Sequence, residues 1–381
     1  MAERNMTTNI EYQLGELLIY EQPTKYIVNS TEYNDGYPIP VLTAGKSFIL
    51  GYTNESDNVF DDLPVIIFDD FTTATQFVDF KFKVKSSAMK ILHVNQDLVL
   101  PKFIFYKLQT ISVDHSTHKR YWIQQYSKIK ISIPTIPEQE QIVKQIEESL
   151  SQLDSAVATL NKTKQQLEIY RQSVLKEAFQ SLSEYSPIIE YFDVSSGLTK
   201  NSKRNTLELK MPYLRVANVY YDFLDLSVIK TIGVMENEIQ QTLLKKNDLL
   251  FVEGNGSKSQ IGRVAIWDGS IDKILHQNHI IKCRPNGSVL PNYALYYFMS
   301  YYGRNQILKV ASSTSGLYTL SANKIRNLQL PYCDLVTQQK IISIIEEKTS
   351  VGKNIEQTVN QSLQQAEALR QSILKQAFEE E

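Results

Sequence analysis

The chain has 381 residues, which is enough for two or three domains with buried cores. Its apolar fraction of 42% and charged fraction of 22% are ordinary for a folded protein and exclude a mainly disordered one. The net charge of −2 shows no overall preference for a polyanionic partner, so any such preference must be local.

No run of residues approaches the roughly 18 consecutive apolar positions that a membrane helix needs, and the N-terminus lacks the pattern of a signal peptide. We therefore expect a cytoplasmic protein that does not contact a membrane. Two cysteines, Cys283 and Cys333, are too few for a disulfide framework or a four-thiolate zinc site, so we expect reduced thiols.

Residues 1–137 carry short β-rich runs separated by turn residues, which predicts a mixed α+β globular domain. Its charge is uneven, because residues 1–80 hold 3 basic and 13 acidic groups whereas residues 81–137 hold 10 and 2. Such a basic run fits either a solvated face or a surface that binds phosphates. Its cations alternate with aromatic residues and include Lys81, Lys83, Lys85, Lys119 and Arg120.

An acidic pattern in the same domain leaves a catalytic alternative open. Asp69 and Asp70 are followed ten residues later by Asp79, and carboxylates at such a spacing can hold Mg²⁺ for phosphodiester hydrolysis. The same residues fit strand ends equally well, and the second half of the chain has no counterpart. A self-contained Mg²⁺-dependent nuclease therefore stays an alternative.

Residues 138–180 contain neither proline nor glycine and are rich in helix-favouring residues, which predicts one helix about 65 Å long. Apolar residues recur at alternating steps of three and four, the pattern of a helix that packs along another helix. These positions are Val143, Ile146, Leu150, Leu153, Val157, Leu160, Leu167, Val174 and Ala178.

Residues 181–336 repeat the α+β pattern and contain a basic, polar loop at 254–263. Ser257 separates Gly256 from Lys258, so the loop lacks the spacing of an ATP-binding phosphate loop. Lys and Arg neutralise phosphates and read guanine edges, while Asn and Gln suit adenine. The candidate residues of this domain are Arg215, Asn218, Asn255, Lys258, Gln260 and Arg263.

Residues 337–381 repeat the first helix. Residues 171–179 and 370–378 are identical at seven of nine positions, and the same offset of 199 aligns Gln139 with Gln338. The second apolar seam is patchier, and we expect it to use Ile345, Ile355, Val359, Ala366, Leu369 and Ile373.

The repeat predicts an α+β protein with two mixed α/β domains, separated by two long antiparallel helices that form a coiled coil in a pseudo-two-fold tandem arrangement. The expected boundaries are 1–137 for domain 1, 138–180 for helix 1, 181–336 for domain 2 and 337–381 for helix 2.

The helix ends carry the clearest family likeness. Ile133-Pro134-Thr135-Ile136-Pro137-Glu138-Gln139-Glu140-Gln141-Ile142 leads into the first helix, and both helices end in Arg-Gln-Ser-x-Leu-Lys-x-Ala-Phe. This doubled pattern resembles the specificity (S) subunit of type I restriction-modification systems over the whole chain. The second helix start departs from it, since Asp334-Leu335-Val336-Thr337-Gln338 lacks the Pro-x-x-Glu-Gln form.

The resemblance implies a non-catalytic DNA-recognition subunit in which each target-recognition domain reads one half of a bipartite double-stranded DNA site. The helices would set the spacing and dock two modification (methyltransferase) subunits, which methylate adenine N6, while restriction subunits cleave unmodified DNA. This chain would need no cofactor, because S-adenosylmethionine, ATP and Mg²⁺ belong to the partner subunits.

With that implication, the candidate residues divide into two roles. Lys81, Lys83, Lys85, Lys119 and Lys258 are expected to contact phosphates. The expected base readers are Arg120, Arg215, Asn218, Asn255, Gln260 and Arg263. A coiled-coil scaffold that does not bind DNA is the second alternative, and a gel shift with and without the modification subunit distinguishes it.

Overall fold

The computed structural model describes residues 10–43, 47–111, 121–314 and 317–379, with the side chains of residues 312–314 and 317 left out. The chain forms two compact units, one of residues 1–160 with 361–381 and one of residues 161–360. Among the helices in these described ranges, none is both long and apolar enough to cross a membrane.

Domain 1, the part before the first long helix, contains a four-stranded antiparallel sheet in the order β2-β8-β5-β6. A second sheet, β4-β3-β7, pairs β3 antiparallel to β4 and parallel to β7. The first and last strands, β1 and β9, pair with each other. The strands are β1 Ile10–Gln13, β2 Leu18–Glu21, β3 Ile39–Leu42, β4 Ile49–Thr53, β5 Val65–Asp69, β6 Thr75–Val78, β7 Lys83–Val84, β8 Met89–Val94 and β9 Lys130–Ile133; the helices are α1 Leu14–Leu17, α2 Pro101–Thr110 and α3 Tyr121–Gln124.

Domain 2, between the long helices, has the sheet β11-β18-β14-β16, the sheet β13-β12-β17 and the closing pair β10-β21. It adds a third small sheet, β15-β20-β19. The strands are β10 Tyr185–Pro187, β11 Phe192–Ser196, β12 Lys210–Leu214, β13 Lys230–Gly233, β14 Leu249–Val252, β15 Gly254–Asn255, β16 Val264–Ile266, β17 Leu275–His276, β18 Ile280–Pro285, β19 Ser312–Thr314, β20 Leu317–Thr319 and β21 Gln329–Pro331; the helices are α5 Glu236–Thr242, α6 Pro291–Met299, α7 Tyr301–Val310 and α8 Ala322–Arg326.

The two domains share one topology. In both, the two middle strands of the four-stranded sheet are almost fully buried. The three-stranded sheet combines one antiparallel with one parallel pair. The α+β class with an internal tandem repeat is thus confirmed.

Each copy of the repeat ends in a long helix, α4 Ile136–Phe179 in the first and α9 Leu335–Glu379 in the second. Their first turns are capped in opposite ways. At α4, the Thr135 backbone NH and hydroxyl donate to Glu138 Oε2 at 2.9 and 2.7 Å. At α9, the Thr337 NH and hydroxyl donate to the Asp334 carboxylate, both at 2.9 Å. The start of the second helix lacks the family pattern, but Asp334 caps it all the same.

A buried glutamine in the first turn of each long helix ties it to the neighbouring domain. The Gln139 side-chain oxygen accepts from the Leu100 backbone NH at 2.7 Å, and its amide donates to Pro134 O at 2.9 Å. Gln338 accepts from the Leu290 NH at 2.8 Å and donates to Cys333 O at 2.8 Å. Leu100 and Leu290 both precede the proline that begins α2 or α6, so each glutamine satisfies an NH at the start of a domain helix.

The far ends of the long helices also pack on α2 and α6. Phe179, at the end of α4, makes edge contacts with Tyr293 and Tyr297 at centroid distances of 5.4 and 5.3 Å. Phe378, near the end of α9, makes the same kind of contact with Phe103 at 5.4 Å. Each domain is therefore anchored by the start of one long helix and the end of the other.

Within each unit the two helices run antiparallel. In the unit of residues 161–360, Lys164 Nζ donates to Asn360 Oδ1 at 2.9 Å, and Lys348 Nζ pairs with Glu177 Oε2 at 2.9 Å. The expectation that Ile355 and Leu369 lie in the seam is wrong, because they are 41% and 51% exposed. Polar contacts and the small Gly352, which faces Leu167, take up this stretch of the helix pair instead.

We predict that Gln139→Ala lowers the free energy of unfolding by about 1–3 kcal/mol, because the buried Leu100 NH loses its acceptor. Urea unfolding followed by circular dichroism measures this change. Gln141→Ala is the matched control, since Gln141 is exposed on the same helix and should change stability by less than about 0.5 kcal/mol. Equal effects of the two substitutions would contradict the anchoring role.

Buried His276 makes the stability of domain 2 depend on pH. Burial lowers the pKa of His276 to about 3, whereas an unfolded histidine titrates near 6.5. Between these two pKa values the unfolded state binds a proton that the folded state does not. The contribution of neutral His276 to the unfolding free energy is therefore fully present above about pH 6.5 and decreases as the pH drops toward 3. We expect His276→Gln to flatten the decline of the unfolding free energy between pH 7 and 5, and parallel urea-midpoint curves for both proteins would disprove this.

Candidate nucleic-acid interface

The domain 1 candidates separate by exposure. Lys81 is exposed and lies 3.5 Å from the carboxylate of Asp61, itself exposed. Lys85 is exposed just after β7, and its backbone NH donates to Leu42 O at 2.9 Å, which holds the end of the strand. Lys119 and Arg120 lie outside the described residues. Of the domain 1 candidates, Lys81 and Lys85 are therefore the described ones whose ammonium groups are available to an external anion.

Lys83 is not available in this way. Only 1% of its surface is exposed, its ammonium donates to Asp57 O at 2.6 Å, and it pairs with Glu55 Oε2 at 3.1 Å. A buried ammonium with two internal partners would have to break both to reach a phosphate. We therefore correct its assignment from a phosphate contact to a structural residue.

Two of the three acidic residues considered for Mg²⁺, Asp69 and Asp70, are engaged in local structure, whereas Asp79 is exposed. Asp69 accepts from the Phe71 NH at 2.9 Å and from the Thr72 hydroxyl at 2.7 Å, which forms the turn after β5. Asp70 accepts from the Trp122 NH at 2.9 Å. Within the described ranges, no group of three or more His, Cys, Asp or Glu side chains is arranged to hold a metal ion.

Two arginines of domain 2 flank the 3-10 turn Val216–Asn218. Arg215 donates from Nη2 to Val228 O at 2.9 Å, and Arg263 donates from Nη2 to Val216 O at 3.1 Å. In both side chains the buried Nε has no hydrogen-bond partner among the described residues. Each of these guanidinium groups therefore keeps a donor that the described residues do not use.

Asn218 has a different role from the one expected. It is 2% exposed, its Oδ1 accepts from the Arg215 backbone NH at 2.9 Å, and its amide donates to Asp225 O at 2.8 Å. All of its hydrogen bonds hold the turn that presents Arg215. We therefore correct its assignment from a base reader to a residue that supports the turn.

The loop 254–263 presents the remaining candidates. Asn255 lies in β15, pairs with Tyr318 of β20, and accepts the Ser257 NH at 2.8 Å. Lys258 is exposed, and Gln260 is half-buried. Gly262 has a φ of +66°, and a Cβ there would lie 2.6 Å from Ile307 Cγ2. The chain therefore needs a glycine at this point, where the loop leads into β16.

Three residues that the sequence reasoning missed support this loop. The Tyr220 ring lies 5.0 Å from the Arg263 guanidinium carbon, and the Tyr221 hydroxyl donates to Ser259 O at 2.8 Å. Arg304 donates to Ile261 O at 2.7 Å. The adjacent tyrosines were visible in the sequence, but nothing there indicated that they meet a loop almost forty residues later.

Domain 2 thus combines a cationic loop, two arginines with unused donors and one exposed aromatic ring, that of Tyr220, beside Arg263. Such a surface can neutralise phosphates, donate paired hydrogen bonds to base edges and stack against sugars or bases. Domain 1 offers the corresponding sheet but has the short segment 70–74 where domain 2 has 253–263.

Comparison with known proteins shows the family of the chain. The model of the type I restriction modification DNA specificity domain matches twice, at residues 7–169 and 181–365. The chain is 32% identical over 364 residues to the EcoR124I/EcoR124II specificity subunit of Escherichia coli, covering 90% of this chain and 87% of that protein. It is 28% identical over 271 residues to the EcoKI specificity subunit of Escherichia coli (strain K12), covering 66% and 58%.

A solved structure from work on the assembly and conformational transition of the type I R-M system has the same fold. Its TM-score is 0.58 at 14% identity, and the match covers 96% of this chain and 99% of that one. The doubled family match extends over both domains and most of both long helices. The chain therefore belongs to the DNA specificity family of type I restriction-modification systems, and its role is DNA recognition.

Proposed function

We propose that this chain reads a bipartite, asymmetric double-stranded DNA site, with one half-site for each domain. The observation that carries the proposal is that one scaffold occurs twice with different loops at the matching position, residues 70–74 in domain 1 and 253–263 in domain 2. A shared scaffold accounts for a shared way of approaching the duplex. Different loops account for different bases read in the two halves.

The residue roles follow from chemistry and, for the lysines, from exposure. Arg263 is only 9% exposed and donates to Val216 O, so it reads a base when that contact opens. Exposed lysines contact phosphates, and side chains with paired donors or amides read bases. The phosphate group comprises Lys81, Lys85 and Lys258, together with Lys119 outside the described residues. The base-reading group comprises Arg215, Asn255, Gln260 and Arg263, together with Arg120 outside the described residues.

The chain acts without catalytic chemistry of its own, in the cytoplasm where DNA is accessible, as part of a complex. Modification subunits bring S-adenosylmethionine and methylate adenine N6, and restriction subunits bring ATP and Mg²⁺ and cleave unmodified DNA. Exposed apolar residues on the long helices, such as Ile169, Val351 and Val336, support docking of such partners.

Mapping of N6-methyladenine tests the whole proposal. Genomic DNA is sequenced for this modification from the host and from a strain in which this gene is deleted. We expect one bipartite motif with a fixed gap to lose its methylation in the deletion strain and to regain it on complementation. An unchanged methylation map would reject the proposal.

A pair of substitutions distinguishes base reading from phosphate contact. We expect Arg263→Ala to relax the sequence preference in one half-site, because base contacts carry about 1–3 kcal/mol of discrimination. Lys258→Ala should weaken binding to all sequences alike and reduce the salt slope by about one unit. Selection from a random duplex pool and salt titrations measure both effects, and a uniform loss for Arg263→Ala would make it a phosphate contact.

Docking of partners is tested at the start of α9. Leu335, Val336 and Ile344 line an apolar groove of about 680 Å³ together with Leu290. We expect Val336→Asp to reduce co-purification of the modification subunits, because a carboxylate would be desolvated in the interface. Ile19→Asp, at an exposed apolar residue of domain 1, is the control that should leave assembly unchanged.

A further inference from the structure

A turn in domain 2 connects the DNA-reading loop to the long helices. It consists of Tyr220, Tyr221 and Asp222, and Asp222 has a φ of +52°, a conformation that non-glycine residues adopt when surrounding contacts hold them. The Asp222 backbone NH donates to Val264 O at 3.0 Å. The turn is thus tied to β16, directly after Arg263.

The three side chains of this turn point in two directions, two toward the loop 254–263 and one toward the long helices. Tyr220 lies against the Arg263 guanidinium, and Tyr221 donates to Ser259 O in the loop 254–263. Asp222 points the other way, toward the helices. Its Oδ2 lies 2.9 Å from Arg171 Nη2 of α4 and 3.7 Å from Lys353 Nζ of α9.

The ion pair of Asp222 with Arg171 is partly withdrawn from water. The two side chains are 21% and 23% exposed, whereas Lys353 is 54% exposed. Partly buried, hydrogen-bonded pairs are screened less by salt than surface pairs and are sensitive to loss of one partner. The ion pair between Arg171 and Asp222 is therefore the main electrostatic contact of this turn with the helices.

Arg304 strengthens the loop side of the connection. Its guanidinium carbon lies 5.1 Å from the Tyr221 ring, and its Nη1 and Nη2 donate to Ile261 O and Ser259 O at 2.7 and 3.3 Å. Tyr221 and Arg304 hold the same carbonyl, Ser259 O, from two directions. A shift of the turn would therefore move the loop with it.

We propose that Asp222 is a positioning residue for base recognition: through Tyr220 and Tyr221 it fixes Arg263 and the loop 254–263 relative to the helix pair. Asp222 does not itself touch DNA. The inference rests on the proposed function, because it assigns a role in reading one half-site. It predicts that the charge on the helix face influences sequence discrimination by the loop.

The repeat offers a matched control for this ion pair. Arg370 occupies the position of Arg171 in the second copy of the motif, but its carboxylate partner is Asp154 of α4 rather than a residue of a globular domain. Asp154→Asn therefore removes the ion pair that the equivalent arginine, Arg370, forms between the two helices. Asp222→Asn removes one between helix and domain.

The test uses the full chain with its modification subunits and a pool of random-sequence duplex DNA as the probe. We expect Asp222→Asn to lower discrimination in one half-site about tenfold while the other half-site stays unchanged. Asp154→Asn should match the wild type in both half-sites. The charge-swapped pair Arg171→Asp with Asp222→Arg should restore part of the lost discrimination.

Tyr221→Phe is the second variant, because it keeps the ring and removes the hydrogen bond to Ser259. It should reduce discrimination in the same half-site, with an unchanged melting temperature. Wild-type selectivity in both Asp222→Asn and Tyr221→Phe, or an equal loss in both half-sites, would overturn the positioning role. A wild-type complex that selects no bipartite sequence would instead overturn the proposed function and this inference with it.

Discussion

The buried amide in the first turn of each long helix is the contact on which the rest of the architecture depends. Gln139 and Gln338 each join a helix start to the preceding segment and to the first turn of a domain helix. An amide can donate and accept at once, which a carboxylate or an ammonium at this position cannot do. The same pair of bonds on both sides of the repeat gives both domains the same attachment to the helices.

The helical part of this structure could be predicted well from the sequence because it is governed by local propensity and a regular apolar spacing. The repeat also indicated that Gln139 and Gln338 are equivalent, though not what they bind. The predicted seam positions Ile355 and Leu369 were wrong, since both side chains are exposed. Near Ile355 the helix contact is made by Gly352 against Leu167, and such a fit depends on tertiary packing that apolar spacing alone does not show.

The proposed recognition surface was less predictable, since composition identifies cations but not their exposure. Lys83 and Asn218 have suitable chemistry, yet both are used internally. Tyr221 and Arg304 support the loop from positions 38 and 45 residues away from Ser259, and no spacing rule links such residues. Long-range support of a loop is a property of the folded domain, and the sequence shows only the residues that take part.

The paired strands β1 and β9, like β10 and β21, bring the entrance and exit of each domain side by side. Both domains meet the helices through such a strand pair and through equivalent glutamine and phenylalanine contacts, so we expect a homologous domain to fit in place of either one. Recombination that exchanges one domain can then change the specificity while the helices stay the same. Domain 2 adds one condition, since an incoming domain without an acidic residue facing Arg171 would sit on the helices without its electrostatic tether.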